Sequence, residues 1–204
     1  MVQITLITGN EGKAQEFGRL LGMEILHQKI SLPEVQHTDV AVVAKAKVEA
    51  AYQELQQPVF VDDTGLYVNA WGNLPGALIA WFLDNVGNDG LIRMLEGWDD
   101  RSAKVVTALG YCDENGPQVF VGEVSGAIAK APRGNNGFGY DAIFIPEGQG
   151  KTFAEMDDAE KDVNSMRAIA AQAMMSNLVY QGLIGTLPNQ KEDPVERVRQ
   201  FRNN

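Results

Sequence analysis

The chain begins with a short apolar run, Val2 to Thr8, closed by Gly9 and Asn10. An apolar segment of that length bounded by turn residues predicts a buried strand. Asn10 suits a helix N-cap, and Ala14, Phe17, Leu20 and Leu21 fall on one 3.6-residue face before Gly22, so an amphipathic helix follows the turn. Glu24 to Ile30 predicts a second strand, Leu32 to Thr38 a polar loop broken by Pro33, and Asp39 to Leu55 an Ala/Val-rich helix capped by Asp39. Pro58 to Val61 predicts a third strand that runs straight into Asp62 and Asp63, placing both carboxylates at its C-terminal end.

Further along, Asn73-Leu74-Pro75-Gly76 reads as a turn, Ala77 to Val86 as an apolar helix, and the residues after Gly87 as a second helix capped by Asn88. Ala103 to Cys112 and Gln118 to Ala127 are strand-like, and the Asn115-Gly116 pair between them signals a β-hairpin. Pro132 to Asp141 is too glycine-rich for regular structure, Ala142 to Ile145 returns to strand, and Ser165 to Gln181 predicts the last helix, capped by Asn164. Strands that alternate with helices early and pair as a hairpin later make an α/β protein with a mixed sheet. The tail after Gly182 carries Pro188, Pro194 and a charged stretch from Glu196 to Arg202, the pattern of a weakly packed or partly helical appendage. This divides the chain into a domain over 1–182 and an extension over 183–204.

Composition narrows the class without changing that outline. With 204 residues, 45% apolar and 22% charged, the chain is long enough for one sizeable core. A formal charge of −10 disfavours sequence-independent binding to nucleic acid or anionic membrane. Cys112 is the single cysteine, which excludes an intrachain disulfide and any multi-cysteine metal site and fits a reducing compartment. Neither a 20-residue apolar run nor a signal-peptide layout is present, so the expected location is the cytoplasm.

Four constellations carry candidate chemistry. Thr8-Gly9-Asn10-Glu11-Gly12-Lys13 joins a glycine turn to a helix start, offering backbone N–H groups and a mobile cation to a phosphate; it equally fits an ordinary strand-to-helix turn. Asp62-Asp63-Thr64 sits where adjacent carboxylates point oppositely, so that one can meet Mg²⁺ while the other bonds locally; a polar strand terminus is the bland alternative. Glu34 can add a further oxygen. Phe138-Gly139-Tyr140-Asp141 offers rings for stacking a nucleobase, or plugs for a core. Lys161, Met166 and Arg167 lead into the last helix, where a cation opposes the helix dipole unless an anionic partner or solvent holds it. His27, His37 and Cys112 read as structural or solvated, and Trp81 as core or subunit interface.

Taken in order, TGNEGK, LPEVQ, FVDDTGL, NLPGALIAWF, APRGNNGFGYD and AEKDVNSMR resemble the inosine triphosphate pyrophosphatase, or Ham1-like, family from Ile4 to about Tyr180. The resemblance implies an elongated mixed sheet flanked by helices, two lobes around a central cleft, and a homodimer. It implies hydrolysis of ITP, dITP and XTP to the monophosphate and pyrophosphate with Mg²⁺, a house-cleaning activity on the nucleotide pool. By motif, Thr8, Gly9, Asn10, Lys13, Lys47 and Lys161 would hold the triphosphate, and Glu34 and Asp63 would bind Mg²⁺. Asp63 would also accept the proton of the attacking water, with Lys13 as its catalytic companion, and Thr64 would touch substrate. Phe138, Gly139, Tyr140, Asp141, Met166 and Arg167 would form the base pocket. The family usually has Ser-His-Arg where this chain has Ser165-Met166-Arg167, a departure that bears on the choice of base. Two other readings stand beside it: a pyrophosphatase for a different modified nucleotide, and a catalytically silent nucleotide-binding module.

Overall fold

The structure is a computed structural model that describes residues 4–72 and 74–184. Its elements in chain order are β1 (Thr5–Ile7), α1 (Glu11–Leu21), β2 (His27–Gln28), α2 (Val40–Leu55), β3 (Val59–Val68), β4 (Pro75–Gly76), α3 (Ile79–Met94), β5 (Ser102–Asp113), β6 (Gly116–Ile128), β7 (Phe144–Pro146), α4 (Asp158–Asn164) and α5 (Met166–Tyr180). They form a seven-stranded mixed sheet in the order β2-β1-β3-β5-β6-β7, with β4 on the outer part of β3. β2, β1 and β3 are parallel, as their helical crossovers require, and β3, β5, β6 and β7 are antiparallel.

Local chemistry explains the helix starts. Asn10 and Asp39 accept backbone N–H groups of Lys13 (3.2 Å) and Ala41 (2.8 Å), as expected of N-caps. Gly22, left-handed at φ 63°, ends α1. α5 is capped by Ser165, whose hydroxyl accepts Ala168 N–H at 3.1 Å, rather than by Asn164, which instead closes the extra helix α4. Asn88 is not a cap either. α3 kinks at Gly87 (φ 64°, ψ −175°), which marks the expected break, but the Asn88 carboxamide reaches away from the helix to Gly139.

Two strands differ in length from expectation. β2 keeps only two of its seven predicted residues, because both are exposed and its one sheet neighbour among the described residues, β1, is three residues long. β3 does not stop at Val61. It continues to Val68, pairing Asp62, Asp63 and Thr64 with Leu109, Ala108 and Thr107, since the buried Leu66, Tyr67 and Val68 beyond them hold the strand on β5. The carboxylates therefore sit mid-strand.

Two apolar clusters cover one face of the sheet. Phe17, Phe60, Leu109, Tyr111 and Met174 pack α1 and α5 at the β1 end, and Leu66, Ile79, Leu91, Val105 and Phe153 pack α3 at the other. α2 covers the opposite face through Val40, Ala44 and Val48. Trp81 is not core: 61% of it is exposed, and its indole N–H donates to Gln36 Oε1 at 2.9 Å. No helix among the described residues is long and apolar enough to cross a membrane. Asn73, in the predicted turn, and the extension from residue 185 onward lie outside the described residues.

Candidate active site

β1 pairs with β3 only at Val59 and Phe60, and β4 takes over at Leu66. Between them, Asp62 to Gly65 are paired on one edge only, and the sheet opens at the very residues that carry the acids. Alternation along the strand sends Asp62 to the α1/α5 face and Asp63 to the α2 face. A cleft of about 470 Å³ wraps this open edge, lined by Asn10, Lys13, Glu34, Lys47, Asp63, Thr64, Phe138, Gly139, Tyr140, Asp141, Met166 and Arg167.

The turn at the exit of β1 is folded on itself. Thr8 Oγ1 accepts Asn10 N–H (3.1 Å) and Asn10 Oδ1 accepts Lys13 N–H (3.2 Å), leaving the N–H groups of Glu11 and Gly12 without intrahelical acceptors at the positive end of α1. Lys13 is pinned rather than mobile. Its ammonium lies 2.8 Å from Asp62 Oδ2 and 3.4 Å from the Asp62 carbonyl, across the open edge of β3. Asp62 also accepts from Arg167 Nη2 at 3.3 Å, and Arg167 Nη1 donates to Glu16 Oε2 at 2.7 Å. Burial pushes the Asp62 carboxyl up, but Arg167 and Lys13 outweigh it and hold the group below the usual carboxylate range. Burial disfavours the charge of Arg167, which is 1% exposed, but Asp62 and Glu16 outweigh it and hold the guanidinium above its usual range. The cation at the start of α5 thus has the anionic reason it needed.

Asp63 is in the opposite condition. Its Oδ2 is buried without a hydrogen-bond partner. Burial pushes its carboxyl up to about 7, opposed by Lys13 and Lys47 and reinforced by Asp62 and Glu34. Glu34 faces it from the loop before α2, its Oε1 2.9 Å from Lys47 Nζ. No group of three or more His, Cys, Asp or Glu side chains suited to a metal occurs among the described residues. Two hard carboxylates, one with an orphaned buried oxygen, nevertheless fit Mg²⁺, which keeps several waters and takes further oxygens from substrate phosphates.

The glycine-rich loop supplies the far wall. Asp141 Oδ2 accepts Phe138 N–H at 2.9 Å and lies 2.7 Å from Lys161 Nζ. Gly137 and Gly139 have φ of 75° and 62°, and a Cβ at Gly137 would strike the Asp141 carboxylate; only glycine fits both demands. The loop holds Phe138 5.0 Å from Lys161 and 5.6 Å from Arg167, measured to the ring centroid. Tyr140 is buried, and burial pushes its phenol up. Three of the expected site residues lie outside the cleft lining: Thr8 and Gly9 at the exit of β1, and Lys161, which is 6% exposed with its ammonium held by Asp141 behind Phe138.

A model of the Ham1 family matches residues 4–177. The chain belongs to the Ham1 family. A dITP/XTP pyrophosphatase of Methanopyrus kandleri is 39% identical over 175 residues, covering 84% of this chain and 93% of its own. Inosine triphosphate pyrophosphatase 2 of Trypanosoma cruzi is 41% identical over 181 residues, covering 86% and 91%. Among solved structures, a HAM1 protein from Coxiella burnetii superposes with a TM-score of 0.77 at 30% identity, over 88% of this chain and 100% of its own.

Around this Ham1 cleft, behind its lining, three residues stand out that motif reading missed. Glu16 is 2% exposed and completes the Arg167 pairing; its signal was a carboxylate one turn after Lys13 on the inward side of α1. Lys29 lays its side-chain methylenes over Gly9, 3.0–3.3 Å from where a Cβ would stand, and so brings a further cation beside the turn. Asn88 bonds the aromatic loop from α3, a contact across 51 residues that no local pattern encodes.

Proposed function

We propose that this chain hydrolyses non-canonical purine nucleoside triphosphates, ITP, dITP and XTP, to the monophosphate and pyrophosphate. The carrying observation is the convergence on one open strand edge of a helix-start anion turn, an unpartnered carboxylate poised near neutrality, and a loop bearing Phe138, in a chain whose family relatives are named for this reaction.

In this reading the phosphates lie on the α1 start, against Thr8, Gly9, Asn10 and the free N–H groups, with Lys13 and Lys47 at their flanks. Glu34 and Asp63 hold Mg²⁺, which when bound neutralises charge on the polyphosphate. A water oxygen bonds to the α-phosphorus, the bond from that phosphorus to the bridging oxygen breaks, and pyrophosphate leaves. The water's proton passes to the Asp63 carboxylate. Thr64, beside Asp63, contacts the substrate. Phe138 stacks the base while Tyr140, Met166 and Arg167 wall the pocket. Lys161 acts on substrate only by fixing Asp141 and hence the loop. The working form is a cytoplasmic homodimer, to be checked by light scattering and fractionation.

The direct test is pyrophosphate release with Mg²⁺ across ITP, dITP, XTP and the four common ribonucleoside triphosphates. Turnover concentrated on the 6-oxo purines is expected. Release from none would leave only a nucleotide-binding module, and preference for another modified base would displace the substrate assignment.

A further inference from the structure

The kink in α3 has a use. The residue after a helix break is commonly a cap, yet Asn88 offers no side-chain bond to its own helix: Oδ1 is buried without a partner. Its Nδ2 instead donates 3.0 Å to the carbonyl of Gly139. That carbonyl belongs to the residue that joins Phe138 to Tyr140 in the chain, a glycine with φ of 62°. Leu83, from the half of α3 before the kink, approaches the same point, its Cδ1 3.6 Å from where a Gly139 Cβ would stand. Asn135 and Asn136 tie the first half of the loop to Ala154 and Met156, Asp141 and Lys161 tie its end, and between them the aromatic segment is held from α3 by one amide hydrogen bond.

We infer that Asn88 is a positioning residue for base recognition, fixing the Phe138–Tyr140 platform from behind the cleft without touching substrate. It rests on the proposed nucleotide reading and adds to it a determinant outside the pocket lining. A backbone carbonyl presents only an acceptor, so the fixing group must be a donor. Aspartate has the shape of asparagine and caps helices equally well, but it cannot donate and its charge faces the Gly139 carbonyl. Asn88→Asp therefore removes the clamp's donor while keeping the side chain's shape and its tolerance at a helix start.

The experiment compares wild type, Asn88→Asp and Asn88→Ala in ITP hydrolysis, in calorimetric binding of inosine monophosphate and of inorganic pyrophosphate, and in thermal melting. Expected for both variants is a roughly three- to tenfold rise in KM for ITP and in Kd for inosine monophosphate. Their kcat and pyrophosphate affinity should stay within about twofold of wild type. Aspartate should melt below alanine, because its charge replaces a buried oxygen and faces a carbonyl, and alanine, which removes the donor without adding charge, should melt closer to wild type. An Asn88→Asp protein with wild-type KM would overturn the inference, reducing Asn88 to a helix-start residue. Parallel loss of pyrophosphate and monophosphate binding would overturn it as well, by showing general damage to the cleft. Wild-type protein that neither hydrolyses ITP nor binds inosine monophosphate would overturn the function itself, and this inference with it.

Discussion

Asp63→Asn should make the metal-free protein more stable while disabling it. The wild-type carboxyl titrates at about 7 because burial disfavours its charge, and its Oδ2 has no partner to compensate. Taken from the ordinary value of 3.8, a rise of that size sets a ceiling of about 4 kcal/mol, at 1.36 kcal/mol per pH unit. Asp63 borders an open cleft, where water screens part of that penalty, so about 1–2 kcal/mol is the working expectation. The sign follows from proton binding. The folded state holds the proton more tightly than the unfolded chain, so the favourable contribution is complete below pH 4 and lost as pH rises through 7. Above that, wild type carries a buried charge that Lys13 and Lys47 only partly offset, and the asparagine variant does not. Melting curves without divalent cation should therefore coincide near pH 4 and separate by roughly 2–8 °C at pH 8, asparagine higher. Millimolar Mg²⁺ should raise the wild-type Tm at pH 8 and leave the variant unmoved, because only wild type keeps both carboxylates. Turnover of ITP should drop by about 100-fold or more. Equal or lower stability of the variant at pH 8 would refute the electrostatic reading of Asp63, and ITP hydrolysis within a few-fold of wild type would refute its role in the reaction.

Lys13→Ala should raise KM for ITP and also lower Tm, since it strips a partner from a carboxylate that is 0% exposed; about 1–3 kcal/mol is expected by denaturant titration because Arg167 remains. Glu16→Gln weakens the pairing of a buried guanidinium and should cost about 2–4 kcal/mol, with base selectivity falling before kcat, measured as kcat/KM on ITP and ATP. Met166→His adds a ring nitrogen to the cleft wall and should raise the ITP-to-ATP ratio of kcat/KM by roughly two- to tenfold; a flat or lower ratio would point to a different preferred base.

Much of this architecture could be read from spacing alone, because capping chemistry and apolar period are local. Asn10, Asp39, Gly22 and the Asn115-Gly116 turn carry their instructions within four residues. The opposite orientation of Asp62 and Asp63 was equally legible, being a property of any strand. Their mid-strand position was not. What extends β3 past Val61 is its pairing with β5, from Asp62 on Leu109 to Val68 on Ala103, and no local signal announces a strand that continues through two acids. The site shows the same division. Motifs named the groups that face the cleft, whereas the residues that hold those groups, Glu16 on Arg167 and Asn88 on Gly139, are joined by contacts spanning 151 and 51 residues. The ion pair of Lys161 with Asp141, 20 residues apart, was likewise not legible, because it forms only once the glycine-rich loop folds back.

The sheet itself limits how this cleft can move. β3, β5 and β6 run unbroken beneath both apolar clusters, so no flexible linker separates one wall from the other. Any narrowing around a nucleotide must be a twist distributed along three hydrogen-bonded strands, as in a torsion bar, rather than a swing about a point. Such a spring is stiff, returns to one resting angle, and couples the grip on the base to the grip on the phosphates. It also makes the walls inseparable: cutting the chain between them severs strands, and neither piece keeps a sheet on which its own half of the core could fold.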